Sequence, residues 1–130
     1  MENETLQHLP LTEATFYILL SLVPGCKHGY AILKDVETLS NRSVILSTST
    51  LYSALQRLGE QGLIARVDDE NQPAANPGLP RKAYILTEVG RKVLESEVVR
   101  LQHLFSAGQQ RLHNESGPLT FAHDPGEANP

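Results

Sequence analysis

Residues 47–64 read STSTLYSALQRLGEQGLI, and this stretch decides the fold. Leu51, Leu55 and Leu58 recur at i, i+4 and i+7, the spacing of one apolar stripe on a helix, with Ala54 beside it. Ser47 or Thr48 suits the N-cap, because a hydroxyl there accepts from backbone N–H groups that have no partner in the first turn. Gly62 is free to take a positive φ and stop the helix. At roughly 100° per residue, Ser49, Ser53, Gln56 and Glu60 fall opposite the leucines, with Tyr52 and Arg57 flanking them. Short hydroxyls, an amide, a phenol and a guanidinium suit base edges and phosphates. The same face also suits an ordinary solvated helix, so the neighbouring segments decide between the two.

Upstream, Thr12 suits the cap of a helix running to about Val23, with Glu13 favourable in its first turn. Phe16, Ile18, Leu19, Leu20, Leu22 and Val23 make this helix apolar over most of its circumference, as a central buried helix requires. Pro24-Gly25 ends it. A second helix is predicted from His28 to Leu39, with Tyr30, Leu33 and Val36, and less regularly Ile32 and Leu39, facing inward. Lys34, Asp35 and Glu37 face water. Ser40-Asn41-Arg42 is a turn, and the β-branched run Val44-Ile45-Leu46 reads as a short strand. Two helices on a short connection, the second with a polar outer face, form the helix-turn-helix pattern.

Downstream, 63–67 and 82–86 read as strands joined by the polar loop DDENQPAANPGLP, residues 68–80. Arg81 and Lys82 stand where this hairpin leaves its tip, suited to solubility or to clamping a phosphate. Thr87 caps a long helix in which Leu94, Val98, Leu101, Phe105, Gly108 and Leu112 are spaced by 4, 3, 4, 3 and 4. Leu104 widens this heptad stripe. A helix so long overhangs a small body, and pairing with a second copy keeps its stripe dry. The expected fold is mainly α with a small β-hairpin: a winged helix-turn-helix with a long C-terminal dimerisation helix. Its parts are a flexible arm over 1–10, the winged helix over 11–87, the dimerisation helix over 88–114 and a disordered tail over 115–130.

A chain of 130 residues suits one domain with a modest core. No apolar run approaches the roughly 18 residues that span a bilayer, so no membrane partner is expected. The polar, acidic start MENETLQHLP is unlike a secretory signal, and one cysteine excludes an internal disulfide; the expected location is cytoplasmic. The net charge of −4 is unevenly placed. All eleven Lys and Arg lie between Ala14 and Leu112 with only nine of the fifteen acids, so the body is +2 and the ends are acidic. The five histidines are scattered without metal-site spacing. There is no phosphate-binding loop, no GxSxG and no carboxylate pair, Glu95 and Glu97 lying on different helix faces. Cys26, beside Lys27 and His28, is either inert or lowered in thiol pKa. No catalytic residue, cofactor or metal is expected.

Three motifs in order, LLSLVPGCKHGYAILKDVE (19–37), STSTLYSALQRLGEQGLI (47–64) and GLPRKAYILTEVGRKVLESEVVRL (78–101), resemble the PadR family of transcriptional regulators. The resemblance covers about residues 11–104. It implies a winged helix-turn-helix with a C-terminal dimerisation helix, here of the single-helix subtype. It also implies a repressor of transcription, often released from DNA by a small molecule. By position it implies that Thr48, Ser49, Thr50, Tyr52 and Ser53 open the DNA-facing helix; the helical spacing adds Gln56 and Arg57 as candidate DNA contacts further along it. It places Arg81 and Lys82 on a basic wing, and His28, Gly29 and Tyr30 near the phosphate backbone. Ser49 replaces a common glycine, Gly59 a common glutamate, and the acids Asp68, Asp69 and Glu70 weaken the wing as a phosphate contact.

The expected molecule is therefore a homodimer on a double-stranded operator, with reading heads one DNA turn apart, roughly 34–36 Å. Leu94, Val98, Leu101, Leu104, Phe105 and Leu112 form the seam, and Phe16, Tyr17 and Phe105 offer apolar surface to an effector. The alternative is a winged-helix protein-interaction module that does not bind DNA.

Overall fold

The computed structural model describes residues 2–68 and 82–116. Arg81, Asp69, Glu70 and the tail from residue 117 lie outside them. Eight elements follow in order: α1 (Glu2–Gln7), α2 (Glu13–Ser21), β1 (Lys27–His28), α3 (Gly29–Leu39), α4 (Thr48–Glu60), β2 (Ile64–Asp68), β3 (Lys82–Leu86) and α5 (Glu88–Ser116). The chain divides into two compact units, the first Met1–Glu97 and the second beginning at Val98 within α5.

The first unit is built on α2, α3 and α4. Ile18 and Leu19 of α2, Ile32 and Val36 of α3, and Leu51, Leu55 and Leu58 of α4 are all almost fully buried in one cluster. At about 1.5–3 kcal/mol for each large apolar side chain removed from water, this cluster is the main source of stability. The caps act where the hydroxyls predict. Thr12 Oγ1 accepts from the Thr15 N–H at 3.1 Å, and Ser47 Oγ accepts from the Thr50 N–H at 3.1 Å. Thr87 Oγ1 donates to the Gly62 carbonyl at 2.7 Å and accepts from the Gly90 N–H at 2.9 Å, so one hydroxyl joins the start of α5 to the turn after α4.

The sheet is antiparallel with β3 in the middle, in the order β1-β3-β2. Residues 64 to 68 pair with 86 to 82, which gives the expected hairpin. The strand β1 was not expected from sequence: Lys27 pairs with Tyr84 and His28 with Ala83. Two residues are too few to carry an alternating pattern.

Four other expectations are corrected. Residues 2–7 of the expected loose arm form a helix. Val44-Ile45-Leu46 makes no strand and takes no part in the sheet, whose strands are β1, β3 and β2. The segment is fixed from the turn instead, where the Val44 N–H donates to Ser40 Oγ at 3.0 Å, and Asn41 and Arg42 take φ of 53° and 65° to reverse the chain. Tyr30 does not face inward. It is 67% exposed, and Lys34, one turn on, lies 5.5 Å from its ring centroid. Leu94, expected on the dimer seam, is buried with Val93 in the core of the first unit. The heptad spacing runs unbroken through a stretch that packs at home, because 3.5- and 3.6-residue periods do not separate over two turns.

In the second unit Val98, Val99, Leu101, Leu104, Phe105 and Leu112 are all exposed, the last three by about half. Among the described residues no helix is long and apolar enough to cross a membrane.

Candidate nucleic-acid interface

The interface is organised by α4. Its leucines are held in the core, and this turns Ser49, Ser53 and Gln56 outward, each exposed. The first turn is tied by hydroxyls: Ser47 Oγ lies 2.8 Å from Thr50 Oγ1 and 3.3 Å from Ser49 Oγ. Thr48 is exposed at the first position of the helix. Small hydroxyl side chains here keep the end of α4 slim, so it can enter a groove.

Tyr52, on one flank of that face, is 42% exposed. Its ring lies against the start of α3, where a Cβ on residue 29 would overlap the hydroxyl. Gly29 is therefore needed for a close approach. The lead into α3 is tied to the sheet as well, since the His28 Nδ1–H donates to the Lys82 carbonyl at 3.2 Å. His28, Gly29, Tyr52 and Lys82 are thus brought together, and Tyr30 stands exposed one residue on. Lys82 is exposed, and Asp68 faces it across the ladder. That acid reduces the positive field at the base of the wing. Arg66, exposed on β2 opposite Tyr84, adds a cation that the sequence reading did not single out. No alternation marks it in LIARV, residues 63–67, where Arg66 is the one polar side chain.

Burial, with the nearby Tyr52 second, raises the Tyr84 hydroxyl above its ordinary pKa of 10.0, and Arg66 opposes the rise. This tyrosine is neutral at physiological pH and packs as part of the core.

Arg57 lies on the other flank of α4. Its Nη2 donates to Thr15 Oγ1 of α2 at 3.2 Å, so the guanidinium lies along the side of the helix rather than straight outward. On this side a groove of about 570 Å³ opens, lined by α4, α2 and the residues before α2. Phe16 and Tyr17, suggested as effector surface, are partly buried and stack edge to face at 5.7 Å. Phe105 belongs to the second unit. Among the described residues no group of three His, Cys, Asp or Glu is arranged to hold a metal ion.

The sequence profile of the transcriptional regulator PadR-like family matches residues 18–96. This chain belongs to that family. It is a transcriptional regulator of the PadR-like kind and not an enzyme. Among solved structures, a PadR family transcription regulator from Clostridium difficile is 28% identical with a TM-score of 0.62, over 78% of this chain and 99% of that one. PadR of Bacillus subtilis, solved in complex with operator DNA, shares the fold at 24% identity and a TM-score of 0.56, over 65% of this chain and 46% of that one. An uncharacterised protein of transposon TN4556 from Streptomyces fradiae is 29% identical over 92 residues, 71% of this chain and 24% of that protein. The PadR-like chain thus spans about a quarter of the length of that curated relative.

Proposed function

We propose that this PadR-like regulator acts in the cytoplasm as a homodimer that binds a double-stranded operator and represses transcription, a small molecule releasing it. One observation carries the reading. The outward face of α4 presents Ser49, Tyr52, Ser53 and Gln56 between the Lys82 end of the wing and Arg57, and no Asp or Glu precedes Glu60 on that helix. In this reading Tyr52, Ser49, Ser53 and Gln56 meet bases or phosphates. His28, Tyr30, Arg57, Lys82 and Arg81 hold the backbone, with Thr48 and Thr50 at the tip of α4. The exposed residues Val98, Leu101, Leu104, Phe105 and Leu112 of α5 are the seam to a second copy. The partly buried Phe16–Tyr17 pair is the apolar surface offered to the effector.

The test is binding of duplex DNA by the full chain across a salt series. Lys82→Ala is expected to weaken binding to all sequences alike and to lower the salt slope by about one per protomer, as loss of a phosphate contact requires. An unchanged slope removes the wing from the interface. Flow-through on random duplex at low salt, by the unaltered protein, would favour the protein-interaction reading instead.

A further inference from the structure

The groove beside Arg57 extends the DNA-binding reading and rests on it. Ser49 and Ser53 form its lip on α4 and also belong to the outward face, so groove and face are continuous. Gln7 and His8 form the opposite lip, at the end of α1. Among the described residues no Asp or Glu lines the groove, although the chain as a whole carries −4. Arg57 forms no ion pair with a carboxylate among the described residues; its hydrogen bond is to the neutral Thr15 hydroxyl. Guanidinium, hydroxyl, amide and imidazole groups without an acid are the set that meets phosphate oxygens.

The far lip is held in place. The Leu11 N–H donates to Glu97 Oε2 at 2.9 Å, and Glu97 is only 1% exposed. A buried carboxylate is expensive to keep unless it is well bonded. Here it fixes the residues before α2, and the Thr12 cap fixes the next residue. Gln7 and His8 therefore stand beside α4 on an anchored segment rather than on a loose end.

We propose that Gln7 and His8 contact DNA, and that with Arg57 they cradle the sugar-phosphate strand running alongside α4. The charge of the groove and its continuity with the α4 face favour this occupant over a small organic anion.

The experiment uses the full chain and a duplex selected by that chain from a randomised pool, with binding read by fluorescence anisotropy and backbone protection by hydroxyl-radical footprinting. The double variant Gln7→Ala, His8→Ala is expected to bind about tenfold more weakly and to lose protection of one backbone stretch beside the α4 footprint, with an unchanged melting temperature. Arg57→Ala is expected to lower the salt slope by about one per protomer. Glu97→Gln, which weakens the anchor, is expected to shift affinity in the same direction by less. If the unaltered chain binds the duplex and the double variant matches it in affinity, slope and footprint, the cradle is wrong and the α4 reading stands. If the unaltered chain binds no duplex at low salt, both fall together.

Discussion

Tyr52 answers two demands at once. Its side chain stays 42% exposed on the flank of the face that carries Ser49 and Ser53, while its hydroxyl and the adjoining ring edge occupy the space a Cβ on residue 29 would fill. Gly29→Ala therefore has to push the ring out of place. The expected loss is about 1–3 kcal/mol in thermal unfolding, as for other overpacked sites. Tyr52→Ala in the same chain should recover part of it, a coupling that a double-mutant cycle reads directly. Tyr84, the next tyrosine along, gives a pH signature. Because burial raises its hydroxyl above the unfolded value of 10.0, the folded state holds the proton longer. Its contribution is complete below pH 10 and declines as the pH rises from there through the folded value. Tyr84→Phe should flatten the alkaline limb in urea midpoints measured on either side of pH 10, and leave the neutral limb unchanged.

The elements show why some of this was legible and some was not. The α4 helix, its Ser47 cap, the Thr87 cap and β3 follow from local rules: a stripe, a hydroxyl, a short apolar run after a polar loop. The run at 44–46 has the same local appearance as a strand but pairs with no strand of the sheet, and strand preference is only preference for a pleated surface that must exist. Two glycines in α5 differ for a similar reason. A Cβ on Gly90 would overlap the Leu63 carbonyl oxygen, a backbone atom that cannot step aside. A Cβ on Gly108 would meet nothing within 4 Å. Gly108→Ala should therefore stabilise α5 by roughly 1 kcal/mol through helix propensity. Gly90→Ala should destabilise despite the same propensity gain, because α5 must lift from the turn after α4. Thermal melts of the two variants are expected to move in opposite directions.

At the scale of the whole molecule the heptad spacing of α5 describes two different surfaces. Leu94 belongs to the core of the first unit, and Leu94→Ala should cost about 2–5 kcal/mol of stability like other buried leucines. Leu101 and Leu104 are exposed in the second unit. A Leu101→Glu, Leu104→Glu chain should unfold at much the same temperature in dilute solution but sediment as a monomer where the unaltered chain sediments as a dimer. A dimer surviving both charges would place the seam elsewhere. The outward residues of α4 could be read from helical spacing alone. The lip made by Gln7 and His8 could not, since its position depends on a hydrogen bond between residues 86 apart in the chain. Arg66 lay between these cases, visible as a cation on a strand but not as a neighbour of Tyr84. The middle place of β3 has its own consequence. Lys82 is carried on a strand stitched along both flanks, once by β2 and once by the two residues that lead into α3. A change in the length or composition of the sequence between 68 and 82 therefore leaves both seams paired and Lys82 where it stands.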